Sequence, residues 1–195
     1  MSSMFPCAFS PWSPGIGDNH VMGWLTVAVY LVAAFSCAVT ARYGPFPART
    51  RRREQLFWWF CAVALVLLAA NKQLDLQSLL TSVARCVAVD QGWYENRRMM
   101  QRVFILAVAA AGALGFLAGG LLMRGTFART GLPILGLGLV CTFVAIRAAS
   151  FHHVDILIDT RVLGLRLNWV LELPGPLLIW LASIRAGRQQ RPDRP

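Results

Sequence analysis

The chain reads as long apolar runs separated by short polar or arginine-rich segments. The first run, residues 21–41, holds 21 positions without a charge. At about 1.5 Å rise per residue it crosses a roughly 30 Å hydrocarbon core. It is too long, and too weakly basic on its N-terminal side, for a cleaved signal peptide. The second run covers 56–70; its helix can begin inside the preceding "RRREQ" and end after Asn71, with Trp58 and Trp59 at interfacial depth. The third, 103–123, contains Gly112, Gly115, Gly119 and Gly120, and Gly115 with Gly119 forms the GxxxG spacing that lets helices pack closely. The fourth runs over 132–149, with Arg147 near its end. The fifth, 168–184, carries Glu172, Pro174 and Pro176. Proline lacks the backbone donor and disfavours helix at the residue before it. The fifth run therefore starts with a broken turn, or its first turn lies among the headgroups.

These periods predict an all-α protein: a polytopic transmembrane helix bundle of about five spans, with an amphipathic helix on its outer face. Four spans plus a re-entrant segment is the runner-up. An irregular non-cytoplasmic tail (1–20) precedes the helical domain (21–184), and a basic cytoplasmic tail (185–195) follows it.

Composition agrees. Of 195 residues, 56% are hydrophobic and 14% charged, and the mean hydropathy is +0.53, outside the range of soluble domains. The length excludes a transporter made of two large inverted halves, unless the chain oligomerises. A net charge of +10 raises nucleic acid as a partner. The distribution argues against it, because the arginines lie between apolar runs and form no separate basic domain. Of the basic residues 18 are Arg and only Lys72 is lysine. The five cysteines contain no CxxC, so neither a dithiol redox motif nor a zinc knuckle is written here. Cys37, Cys61 and Cys141 read as small hydrophobes within apolar runs, while Cys7 and Cys86 lie outside them and are candidates for a disulfide.

Charge also orients the chain. The loop of Arg42, Arg49, Arg51, Arg52 and Arg53, the loop of Arg124 and Arg129, and the tail of Arg185, Arg188, Arg191 and Arg194 oppose only Glu54 and Asp193. The other side holds eight basic and seven acidic residues. The positive-inside rule puts the N-terminus outside and the C-terminus in the cytoplasm of a cell inner membrane. The basic loops alternate consistently only with an odd number of crossings.

Polar chemistry collects on the outer side, in two segments that follow the second and fourth runs. In the first, Asn71, Asp75, Ser78 and Ser82 form a polar stripe at helical spacing, opposite Leu76, Leu79, Leu80, Val83 and Val87. Lys72 and Asp75 are three apart and can pair. Trp93 and Tyr94 suit an aromatic belt, and Arg97, Arg98 and Arg102 can anchor the rim or hold lipid phosphates. The bland reading of Asn71, Lys72 and Asp75 is a cap on the second span.

The second segment has the denser signal. If the fourth helix continues past Ala149, His152, Asp155 and Asp159 fall at i, i+3 and i+7 on one face, a sound donor set for zinc, iron or manganese. His153 points about 100° away on an ideal helix. Glu172 is the natural third carboxylate, and its bland reading is an ion-pair partner for an Arg. Arg147 can snorkel outward or pair with Asp155, Asp75 or Glu172. No zincin or nucleophile-elbow motif occurs, and the spans hold no well-placed histidine pair for haem. The candidate cofactor is thus a divalent metal held by His152, Asp155, Asp159 and Glu172. Asp75 or His153 would accept a proton, and Asn71, Lys72, Arg97, Arg98 and Arg147 would hold a substrate phosphate.

With "NKQLDLQSLLT", "DQGWYENRRMMQ" and "SFHHVD", the chain resembles an uncharacterised family of small bacterial inner-membrane proteins, over about residues 56–172. Some members carry an isopropylmalate isomerase label. The residues give that label no support, since there is no cysteine cluster for an iron–sulfur centre and no soluble catalytic domain. The resemblance implies a bacterial membrane location and assigns no catalytic role. Two functions from different classes remain. One is a metal-dependent enzyme or binding protein for a lipid or lipid-linked headgroup, in contact with membrane lipids. The other is a non-catalytic accessory or assembly subunit with a membrane-protein partner. A channel comes third, because no span carries a repeated polar stripe.

Overall fold

A computed structural model describes residues 20–92, 97–149, 161–162 and 165–188, some helical positions by their backbone alone. The chain is all-α. Helix α1 is Val21–Tyr43, α2 Arg51–Leu74, α3 Leu76–Asp90, α4 Arg97–Leu122 and α5 Phe127–Ala149. After two-residue strands β1 (Arg161–Val162) and β2 (Leu165–Arg166), antiparallel with Arg161 opposite Arg166, come α6 (Leu167–Glu172) and α7 (Pro174–Arg188).

Four stretches are long and apolar enough to cross a membrane: α1, α2, Phe127–Ile146 within α5, and Leu167–Arg188, which joins α6 to α7. Helix α4 contains the shorter apolar stretch Leu106–Leu122. Its full 26 residues reach about 39 Å. The break between α6 and α7 falls at Leu173, directly before Pro174, where proline's ring disfavours helix at its neighbour and suits the first position of the next helix. Of the two alternatives for the fifth run, the broken turn is present, and the segment is nonetheless long enough to span.

Helices α1 and α2 each bury a narrow seam. On α1 it is Thr26, Val27, Tyr30, Ala33, Ala34, Cys37, Thr40 and Ala41. On α2 it is Glu54, Phe57, Trp58, Cys61, Ala62, Leu65 and Ala69. These positions recur every three or four residues, the two helices pack on each other, and both seams join one core cluster in which Trp58 and Leu65 are fully buried. Leu31, Phe35, Phe60 and Leu67 stay exposed, as lipid-facing residues must. With lipid as apolar as leucine, packing and interhelical hydrogen bonds hold the bundle. Ser36 and Ser183 hydroxyls lie 2.6 Å apart, and Thr40 donates to the Ser183 carbonyl at 3.1 Å, tying α1 to α7. Helices α5 and α7 cross at Gly136 and Gly175, where a Cβ on Gly136 would sit 2.8 Å from the Gly175 carbonyl.

The principal packing runs in a row, α2–α1–α7–α5–α4. The C-terminal ends of α1, α4 and α7 and the N-terminal ends of α2 and α5 share one end of the bundle, joined by Thr40–Ser183, Glu54–Arg129 and Arg53–Arg124 contacts. That is the end of the arginine-rich loops. Helix α3 leaves the opposite end of α2 and is the most strongly amphipathic of the helices, as the stripe in the sequence indicates.

Candidate functional site

At the end opposite the arginine loops, α2 stops at Asp75. Its backbone is left-handed (φ 45°, ψ 49°), a conformation that aspartate tolerates better than most residues. The Asp75 N–H closes α2 on the Asn71 carbonyl at 3.0 Å, and its own carbonyl accepts from Leu79 N–H at 3.3 Å to open α3. One residue thus ends the span, turns the chain and brings Asn71, Lys72 and Asp75 to a common cavity.

Across it stands Glu172, the last residue of α6. Lys72 Nζ donates to Glu172 Oε2 at 2.7 Å, with the two side chains 5% and 3% exposed. The ammonium also lies in the last turn of α2, where the helix dipole favours a cation. Tyr30, Leu68, Phe143 and Val144 complete the lining. The cavity measures about 40 Å³. A water needs roughly 10–15 Å³ of such space, so a few waters or a small ion fit and a lipid headgroup does not. Two carboxylates face one ammonium there. Nearby on the same elements, both amide atoms of Gln73 and Oδ1 of Asn168 are buried without a hydrogen-bond partner.

The structure brings together four of the residues expected from the sequence: Asn71, Lys72, Asp75 and Glu172. The cation on Glu172 is Lys72, a hundred positions away, rather than the arginine that its place in the sequence suggests. His152, His153, Asp155 and Asp159 lie outside the described residues. Arg97 and Arg98 open α4, and Arg147 falls in the last turn of α5, each described by backbone only. Among the described residues, no group of three or more His, Cys, Asp or Glu side chains is placed to hold a metal. Cys37, Cys61 and Cys141 are free. Cys86 in α3 is disulfide-bonded, and Cys7 lies outside the described residues.

The sequence missed a second buried charge. Glu54, fully buried, accepts from Arg129 Nε and Nη2, both at 2.8 Å, and from the Thr50 hydroxyl at 2.6 Å. A carboxylate one turn into an apolar helix was the available signal, since such a group is costly unless paired.

Comparison with protein families, curated proteins and solved structures yields no match to this chain. The fold by itself defines the class: a multi-pass, all-α membrane protein.

Proposed function

We propose that this chain is a bacterial inner-membrane protein, N-terminus outside, whose non-cytoplasmic rim binds a divalent cation and, through it, the anionic headgroup of a lipid or lipid-linked molecule. The buried Lys72–Glu172 pair carries the reading. Burying two charges costs several kcal/mol per ion, and well-packed apolar residues often serve stability as well or better. An ion pair that also borders a polar cavity at membrane depth is a functional site by default.

Asp75 and Glu172 bring hard carboxylate oxygens to the cavity, the donor type that suits a divalent cation. His152, Asp155, Asp159 and Glu172 would hold it, the first three from the segment that follows α5 in the sequence. A headgroup too large for the cavity would rest outside it, against Arg97, Arg98 and Arg147. A bound divalent ion there supplies Lewis acidity and an activated water for ester or phosphoester cleavage. Asp75 or His153 would take the proton. Two features support the orientation: the arginine loops gather at one end of the bundle, and the disulfide-bonded Cys86 lies on the helix leaving the other, as an oxidising compartment requires.

The experiment is metal analysis and melting of detergent-purified protein prepared without chelator. Wild type should carry stoichiometric metal, lost in His152→Ala, Asp155→Asn and Glu172→Gln. Wild type without metal, gaining no stability from zinc, manganese or iron, would overturn the reading. One observation favours the alternative of an accessory subunit without chemistry: among the described residues, the glycine face of α4 meets no atom within 4 Å of a Cβ at Gly112, Gly115 or Gly119.

A further inference from the structure

Opposite the α1–α7 side of the bundle, α2 and α4 stand apart over α5 and enclose an open groove of about 1280 Å³. This exceeds the roughly 300–1,000 Å³ of small-molecule sites. Its lining follows α2 from Arg52 to Leu68, about 24 Å of helix, and one leaflet supplies only about half of a roughly 30 Å core. The walls are apolar: the phenyl groups of Phe57 and Phe60 on one side and the bare backbone of Gly112, Gly115 and Gly119 on the other.

Among the described residues, one end carries all of the charge. Arg49, Arg52, Arg53 and Arg124 line it, and no carboxylate of the described residues does. Glu54, the acid next in sequence, is held by Arg129. Arg53 is half-buried. One terminal nitrogen reaches the Arg124 carbonyl at a marginal 3.5 Å, while its Nε is buried with no acceptor. An arginine that merely snorkels to the surface keeps its guanidinium in water. Here the guanidinium stays at the head of an apolar channel with a donor to satisfy.

We propose that this groove holds one anionic phospholipid, its phosphate on Arg53 and Arg124 and its acyl chains along the glycine face of α4. Guanidinium groups present fork geometry that matches phosphate oxygens, and every leaflet offers the group. A partner helix would also fit against glycines, but it would have to bring its own acids to four arginines. This site lies at the opposite end of the bundle from the Lys72–Glu172 cavity and is independent of it.

The test is native mass spectrometry of the full chain released from mild detergent, with phosphatidylglycerol or phosphatidylcholine added. Wild type should retain one phospholipid and prefer phosphatidylglycerol at least tenfold. Arg53→Gln with Arg124→Gln should abolish that preference. Gly115→Leu projects into open space, so the protein should fold and melt as wild type while losing the lipid. The proposal fails if wild type retains no lipid, if the two lipids bind equally, or if both sets of variants retain lipid as wild type does. A lipid-free dimer dissociated by Gly115→Leu would assign the groove to a second copy and overturn it too.

Discussion

Arg129 grips Glu54 with two nitrogens across 75 positions of sequence, fastening the start of α5 to the start of α2. Glu54 is fully buried and the arginine a quarter exposed, so the carboxylate depends on this one cation far more than the reverse.

Arg129→Met should therefore destabilise the bundle by about 3–5 kcal/mol, the usual cost of stranding a buried charge. Replacing both residues by leucine should restore most of the loss, because no charge is then left unpaired. Unfolding in mixed micelles with increasing denaturing detergent measures both. A single substitution no worse than the double would show that the pair bears little weight.

Two glycines in apolar helices should behave oppositely. A Cβ on Gly136 would lie 2.7 Å from Ile179 Cγ1 and 2.8 Å from the Gly175 carbonyl. Gly136→Ala should cost about 1–3 kcal/mol through forced separation of α5 and α7. Gly115 has nothing within 4 Å, so Gly115→Ala should be neutral, or gain up to about 1 kcal/mol from helix propensity. Melting temperatures of the two variants in one detergent decide the matter, and equal losses would contradict the packing described.

Reporter fusions after Arg53 and Arg129 should read as cytoplasmic and one at Gly92 as exterior. Cys86 should react with a thiol reagent only after reduction. A cytoplasmic signal at Gly92 would sink the proposed orientation, whatever the cysteine does.

The spans were legible because a bilayer leaves the backbone few choices. Every peptide group in hydrocarbon must bond within its own helix, so long apolar runs become helices at predictable places. The run at 21–41 became Val21–Tyr43, and Pro174 broke the last span where expected. The second helix begins at Arg51, inside the "RRREQ" that precedes its apolar run, because the long arginine stem lets the charge reach water. Partnership was much less legible. The GxxxG of α4 has the spacing for close packing, yet the close backbone approach at glycine joins Gly136 and Gly175, single glycines on different helices. Spacing within a helix says which residues share a face, but not what that face meets. Likewise, Lys72 and Glu172 could each be placed at the outer rim, and only the fold joins them. The histidine and aspartate cluster at 152–159 was the densest signal in the sequence, and it lies outside the described residues.

The row α2–α1–α7–α5–α4 has a consequence for how the protein is made. Neighbours in sequence supply its two flanks: α1 can pair with α2, and α4 with α5, as soon as each hairpin leaves the ribosome. The helix that sits between the flanks is α7, the latest of them to be synthesised. Until it arrives, the serines and threonines of α1 and the Gly136 face of α5 have no α7 to pack on. The Glu54–Arg129 contact can already hold the two hairpins together at one end, and α7 is the late keystone that fills the seam between them.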